Sequence, residues 1–303
     1  MSIVTPNHLH YPAAKAFLEA GIHVVCDKPL TTTLADAKAL ASLVDQSGLV
    51  FVLTHNYTGY PMVRQARAMV EAGELGRIRT VQVEYVQDWL TRRVETEGQK
   101  QAEWRSDPAR SGPGGCIADI GSHAHNIARF VTGLEVEALC AELTSFVAGR
   151  TLDDNAQILL RFAGGARGAL WASQVAPGNE NALRFRVYGE KAGLAWSQED
   201  PNYLHYTPLG EPPRLIRRGG AGAGPSASRA TRVPAGHPEG YIEGFATIYT
   251  DAAELIRARM EDREPEKDAR LVPSVHDGVR GIELIEAAVA SSSQGGVWVK
   301  TGA

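Results

Sequence analysis

The period of apolar and polar positions changes once along the chain, near Tyr60. Before that point, short continuous apolar runs alternate with stretches of helical spacing. Ser2-Ile3-Val4-Thr5 is an apolar run that ends in the turn pair Pro6-Asn7. From Tyr11 to Ala20, Ala13, Ala16, Phe17 and Ala20 recur at helical spacing, with Pro12 at the start. Gly21 follows, where a helix C-cap wants a residue that tolerates positive φ. His23-Val24-Val25-Cys26 reads as a second strand. Thr33 caps a helix that runs to about Ser47, with Leu34, Ala37, Leu40 and Val44 on one stripe and Gly48 closing it. Leu49 to Leu53 is a third continuous apolar strand. Apolar strands separated by amphipathic helices predict a βαβαβ unit whose parallel sheet is covered on both faces.

After Tyr60 the strands alternate. A helix over Pro61 to Ala72 ends at Gly73, and Arg79 to Asp88 then sets Val81, Val83 and Tyr85 against Gln82 and Glu84. That is a strand with one wet face. Comparable stretches fall at 136–146, 155–162, 166–175 and 183–188, with shorter ones near Leu194 and Tyr203. Turn sequences such as Ala163-Gly164-Gly165 separate several of them. The pattern predicts a largely antiparallel open sheet with helices on one face, including helices over 239–260 and 275–291. Gly219 to Pro238, rich in Gly, Ala, Ser and Pro, is expected to be a long surface loop. The boundary falls after Tyr57, which gives units 1–57 and 58–303.

At 303 residues the chain is long enough for two such units. Lys and Arg total 31 against 35 Asp and Glu, a net charge of −4, with no long basic run. A nucleic-acid partner and an anionic membrane surface are therefore not expected. No apolar run approaches the ~20 residues of a membrane span. Cys26, Cys116 and Cys140 are widely spaced and odd in number. They fit a reducing, cytoplasmic compartment and exclude a disulfide framework or a CxxC metal site.

Three segments carry candidate chemistry. Asp27-Lys28-Pro29 follows the second parallel strand, at the carboxyl end where open α/β sheets place their ligand crevice. Lys28 is either a cation aimed into that crevice or a surface lysine. The turn Thr5-Pro6-Asn7-His8-Leu9-His10 opens the next helix and could contact a phosphate or ribose, or serve only as a cap. The strongest is the run from Gly112 to His123, where a Gly-rich turn opens a helix that stacks Asp119 and His123 four residues apart. An imidazole with a carboxylate one turn away suits proton transfer near neutral pH. The bland alternative is a solvated ion pair. His125, two residues on from His123, faces nearly the opposite way, and no third ligand joins Asp119 and His123, so no metal site is expected. Gly219 to Gly224 lacks the spacing of a phosphate loop. Trp89, Trp104 and Trp171 serve either as sugar-stacking platforms or as core and interface residues.

Taken in order, Thr5-Pro6-Asn7-x-x-His10, Asp27-Lys28-Pro29, His55-Asn56-Tyr57, Trp104-Arg105 and Gly114-Gly115 through Asp119-x-x-x-His123 resemble the Gfo/Idh/MocA family of NAD(P)-dependent oxidoreductases. The resemblance covers effectively the whole chain. It implies a hydride transfer between NAD or NADP and a sugar- or cyclitol-like carbinol or ketone. Lys28, Asp119 and His123 would be the catalytic group: His123 takes the hydroxyl proton, Asp119 orients His123, and Lys28 polarises the oxygen. Thr5, Pro6, Asn7, His10, Asp27, Lys28 and Asn56 would meet the cofactor. Trp89, Trp104, Arg105 and His237 would meet the substrate. A homodimer or homotetramer through the open sheet is also implied. Asp27 stands where the family has Glu. Family members have a Gly-rich strand–turn–helix ahead of the Thr-Pro-Asn segment, so the fold expected here is a truncated doubly wound sheet, the C-terminal half of a Rossmann domain, short by on the order of 70–80 residues. A non-catalytic sugar-binding or oligomerisation module is the alternative function. The chain expressed as given is expected to self-associate and bind NAD(P) poorly.

Overall fold

The computed structural model describes residues 1–302. The chain opens with β1 (Ser2–Ile3), α1 (His10–Glu19), β2 (Val24–Cys26), α2 (Leu34–Ser47) and β3 (Phe51–Leu53). These strands form a parallel sheet in the order β1-β2-β3, with Ser2 opposite Val25 and Val25 opposite Val52. Thr33 caps α2 by accepting from the Asp36 amide, and Gly48 closes it in the left-handed region at φ 62°. The predicted βαβαβ unit is present, with each strand a residue or two shorter than its apolar run.

Next come α3 (Pro61–Glu71), β4 (Ile78–Val86), α4 (Lys100–Arg105), α5 (Pro108–Ser111) and α6 (Ser122–Thr132). Strands β5 (Val136–Thr144), β6 (Asn155–Phe162), β7 (Arg167–Ser173), β8 (Ala182–Gly189), β9 (Ala192–Ser197), β10 (Tyr203–Pro208) and β11 (Arg214–Arg217) follow. The last elements are α7 (Pro225–Ala230), α8 (Tyr241–Met260), α9 (Val275–Ser293) and β12 (Val299–Lys300). The second sheet has the order β11-β10-β9-β8-β4-β7-β6-β5-β12. All its neighbours are antiparallel except β4 and β7, which run parallel at its centre. Helices α3, α6 and α9 contact strands of this sheet. Inward positions such as Val81, Val83, Leu170 and Phe185 are buried, whereas Leu159 is 55% and Tyr188 44% exposed on their strands. The sheet is therefore covered on one face and open on the other.

The last helices also reach the first sheet. The Leu53 amide donates to the Pro273 carbonyl at 2.8 Å, and α9 packs on α2. Helix α8 crosses the turn after β3 where two glycines meet. A Cβ on Gly59 would lie 2.2 Å from the Gly244 carbonyl oxygen, so this crossing admits no side chain. That contact holds Tyr241 and Phe245, on the first turns of α8, beside the carboxyl end of β3.

The 219–238 segment is not wholly the expected surface loop, because it holds α7, with Ala227 and Ala230 buried where α7 meets α3. Small side chains let this short helix dock closely. Buried Arg218 pins the rest, donating to Glu239, to Asn202 and to the carbonyls of Val233, Pro234 and His237. Strands β11 and β12 and helices α4 and α5 were not anticipated, being too short to show a period.

Candidate active site

The Gly-rich turn before His123 exists for close packing. Asp153 accepts from the Gly115 amide at 2.6 Å and from the Ile117 amide at 2.9 Å, which caps the helix start. A Cβ on Gly115 would lie 2.1 Å from the Asp153 carbonyl oxygen. Ile117–Gly121 then forms a π turn before α6 begins. Such a turn inserts a residue into the helical ladder and alters which side chains stack.

Contrary to expectation, Asp119 makes no hydrogen bond to His123. Its Oδ1 accepts from Lys28 Nζ at 2.7 Å, and its Oδ2 accepts from Gln174 Nε2 at 2.8 Å with Arg105 Nε at 3.3 Å. Lys28 Nζ also donates to the Asp119 carbonyl at 2.6 Å. The carboxylate is the anchor of Lys28, which enters from the end of β2. Burial alone would raise the Asp119 carboxyl, but Lys28 and then Arg105 more than offset it and hold it well below the usual carboxylate range.

His123 is 8% exposed and meets a ring of aromatics, with Tyr57 at 4.9 Å and Tyr85 at 6.0 Å between centroids. Its Nδ1 faces Nδ1 of His55 at 3.3 Å. The ring nitrogen left for exchange with the cleft is Nε2. Burial first, then Lys28 and His55, push His123 well below the ordinary imidazole range, and Asp119 only partly opposes them. The ring is neutral near pH 7, hence a proton acceptor. His125 is buried and also neutral, but it lies near Arg129 and Arg280 and outside this cleft.

These groups line a cleft of about 580 Å³ together with Asp27, Asn56, Tyr57, Tyr85, Trp89, Arg105 and Tyr241. One wall is a chain of amides and phenols. Tyr57 and Tyr85 hydroxyls bond to each other at 2.5 Å, and Tyr85 and Gln87 both donate to Asn181 Oδ1. Trp89 Nε1 donates to Gln87 at 3.0 Å, and Asp27 accepts from Thr54 at 2.5 Å. Asn56 is 2% exposed, and its Nδ2 has no partner. A buried donor left open on a cleft wall, at the carboxyl end of a parallel strand, suits an acceptor such as the carbonyl of a carboxamide.

Other predicted residues fall outside this lining. His10 is buried between the carbonyls of Pro29 and Thr5, 2.8 Å from each, and braces the Lys28 turn with no ring nitrogen free for a ligand. The side chain of Asn7 donates to the Ser111 carbonyl at 3.0 Å, tying the first turn to the segment before the π turn. Thr5 and Pro6 flank that brace and do not line the cleft. Trp104 lies behind Arg105, whose guanidinium is 4.2 Å from the ring centroid, so it supports Arg105 from outside. His237 lines a separate cavity of about 480 Å³ with Asp200, Asn202 and Arg217. Among the described residues no cluster of three or more metal-ligating side chains occurs. No helix among them is long and apolar enough to cross a membrane. Gln87, Gln174 and Asn181 were missed by sequence reasoning. Their signal was a polar residue at or just beyond the end of an alternating strand.

Lys28 thus enters the cleft from the carboxyl end of a parallel strand, the usual ligand edge of an open α/β sheet, and meets Asp119 and His123 from the π turn and α6. A family model described as an oxidoreductase family with an NAD-binding Rossmann fold matches residues 1–55, and a GFO/IDH/MocA C-terminal domain matches residues 63–195. The chain belongs to the Gfo/Idh/MocA family of NAD-binding oxidoreductases. An oxidoreductase structure from Sinorhizobium meliloti is 55% identical, with a TM-score of 0.88 over 99% of this chain and 78% of that one. An inositol dehydrogenase homolog from Azotobacter vinelandii, solved with NAD+, is 36% identical with a TM-score of 0.93, covering 99% and 77%. The same homolog with NADH and myo-inositol gives 35% identity and a TM-score of 0.89, again covering 99% and 77%. Levoglucosan dehydrogenase of Pseudarthrobacter phenanthrenivorans is 28% identical over 99% of this chain and 79% of its own length. The match of the NAD-binding model to residues 1–55 gives no support to the expected loss of part of that domain, nor to a non-catalytic module.

Proposed function

We propose that the chain oxidises a ring hydroxyl of a neutral cyclitol or pyranose with NAD(P)+, and reduces the ketone in reverse. The observation that carries this reading is the convergence of Lys28, Asp119 and His123 on one polar cleft. Lys28 and Arg105 are both tied to Asp119, and Asp27 and Glu180 add negative charge to the lining, so no free cation clamp awaits a phosphate or carboxylate. The amide and phenol wall instead offers the short-range donors and acceptors that hydroxyl groups need. Similarity to relatives solved with myo-inositol and named for levoglucosan supports the same class.

Bound nicotinamide supplies the hydride acceptor or donor. Asp27, Lys28 and Asn56, at the carboxyl ends of β2 and β3, would hold its nicotinamide end, and the Thr5-Pro6-Asn7 turn after β1 would face the nucleotide. In oxidation Nε2 of His123 takes the hydroxyl proton, while Lys28 Nζ donates a hydrogen bond to the oxygen as it becomes a carbonyl. Asp119 holds Lys28 in place through its carboxylate and its carbonyl. Trp89 and Arg105 bound the substrate end. The exposed Leu159, Trp171 and Tyr188 support self-association through the open face of the sheet, and the three free cysteines support a reducing, cytoplasmic setting. A panel of cyclitols and aldopyranoses with NAD+ and with NADP+, followed by nicotinamide absorbance, tests the reading. Turnover confined to neutral ring polyols is expected. Turnover of phosphorylated or carboxylate substrates alone would overturn it.

A further inference from the structure

His55 ends the run after β3 and is 2% exposed, yet it is neither an apolar filler nor a lining residue of the cleft. Its backbone is tightly determined. The His55 amide donates to the Leu53 carbonyl at 2.9 Å and the Asn56 amide to the Thr54 carbonyl at 2.8 Å. With φ −73° and ψ 73° at His55, this is an inverse γ-turn at a strand end. Its carbonyl accepts from the Thr58 amide at 3.1 Å and from the Thr58 hydroxyl at 2.9 Å. The turn sets the ring against His123, with Nδ1 atoms 3.3 Å apart and ring planes at 85°.

Two neutral imidazoles meeting Nδ1 to Nδ1 share one proton, so one ring donates and the other accepts. We propose that His55 is a positioning residue for His123, accepting its Nδ1–H and thereby fixing the tautomer in which Nε2 presents a lone pair to the cleft. This rests on the reading of His123 as proton acceptor. Every competing partner of the His123 ring is committed elsewhere. Asp119 is occupied by Lys28, Arg105 and Gln174, and the Tyr57 and Tyr85 hydroxyls bond to each other and to Asn181. Among the described residues His55 is the only one within hydrogen-bond reach of the His123 ring.

The acceptor role requires His55 to stay neutral. The charged groups that act on it are Lys28, Arg129 and Asp277. Burial first and then Lys28 push it down to about 3, with Asp277 opposing. A neutral acceptor differs from a carboxylate in its consequence. It fixes the tautomer without raising the basicity of His123, which keeps that ring unprotonated at neutral pH.

The test combines nitrogen NMR of the imidazoles in the ligand-free protein with kinetics of two variants. In the wild type, His123 should carry its proton on Nδ1 and His55 on Nε2. His55→Asn retains an acceptor and should keep both the His123 tautomer and kcat to within about threefold. His55→Phe should mix the tautomers and lower kcat by about 10–100-fold with KM little changed, the range typical of lost supporting hydrogen bonds. Wild-type His123 protonated on Nε2, or a folded His55→Phe enzyme with unchanged kcat and tautomer, would overturn the proposal. If His55→Phe does not fold, the wild-type tautomer and the His55→Asn variant still decide. An active His123→Ala enzyme would remove the reading of His123 itself, whereas an inactive one beside a normal His55→Phe enzyme would remove only this inference.

Discussion

Replacing Lys28 by Met and Asp119 by Asn, singly and together, tests which group the carboxylate serves. At 2.7 Å, the ion pair has a Coulomb energy of about 6 kcal/mol at an effective dielectric of ~20 and about 1.5 kcal/mol at ~80. The two side chains are 15% and 17% exposed, which places the pair between those limits. Arg105 at 3.3 Å and Gln174 at 2.8 Å remain on Asp119 after Lys28 is lost, so the carboxylate is not abandoned. The expected coupling in a cycle of urea unfolding free energies is therefore about 1.5–3 kcal/mol, the upper part of the range for contacting residues. The same cycle between Asp119→Asn and His123→Ala should give a smaller coupling, because no hydrogen bond joins them and Asp119 acts on His123 only through its charge. Stability is the right readout because rate effects of residues acting as one unit do not add. A negligible Lys28–Asp119 coupling, or a larger one between Asp119 and His123, would refute the partnership described here.

His123→Ala should lower kcat by about 10²–10⁴-fold with the fold intact, whereas His125→Ala should leave kcat within about threefold; equal losses would mean structural damage instead. Lys28→Met should lower kcat by about 10²–10³-fold, and an effect under twofold would return Lys28 to a surface role. Gly59→Ala should destabilise by more than about 2 kcal/mol in urea melts, since the added carbon meets the Gly244 backbone and not a yielding side chain; a neutral effect would show that α8 does not sit as described. His55, His123 and His125 all have folded values below the ordinary imidazole value, so below pH ~6.5 the unfolded chain binds more protons and stability falls with falling pH, by up to about 1.4 kcal/mol per unit for each ring. Urea midpoints from about pH 7.5 to about pH 5 measure this, and a flat or rising profile contradicts the burial of neutral rings.

The parallel unit was legible because its strands are uninterrupted apolar runs and α2 carries Thr33 and Gly48 at its ends. The mixed sheet was legible through alternation, although the parallel pairing of β4 with β7 was not. Pairing partners are chosen by tertiary packing, and no local period encodes them. Lys28 and His123 stood out because rare residue types sat at a strand end and on a helix. The partnership of Asp119 was misread because i,i+4 stacking assumes an α-helical ladder, and the π turn at Ile117–Gly121 breaks it. His10 shows the opposite failure: a motif residue near the site is a brace between two carbonyls. His237 lay in a turn that resembles a binding loop but lines a different cavity.

By the function proposed above, one cleft, with Lys28 and His123 on its wall, holds the reacting hydroxyl. A crystal structure of the protein with NADH and a turned-over ring polyol measures this directly. The expected result is a substrate oxygen within hydrogen-bond distance of both Lys28 Nζ and His123 Nε2, with Asp119 still on Lys28. A polyol seated in the His237 cavity, or one in the cleft whose hydroxyl groups meet neither Lys28 nor His123, would contradict it.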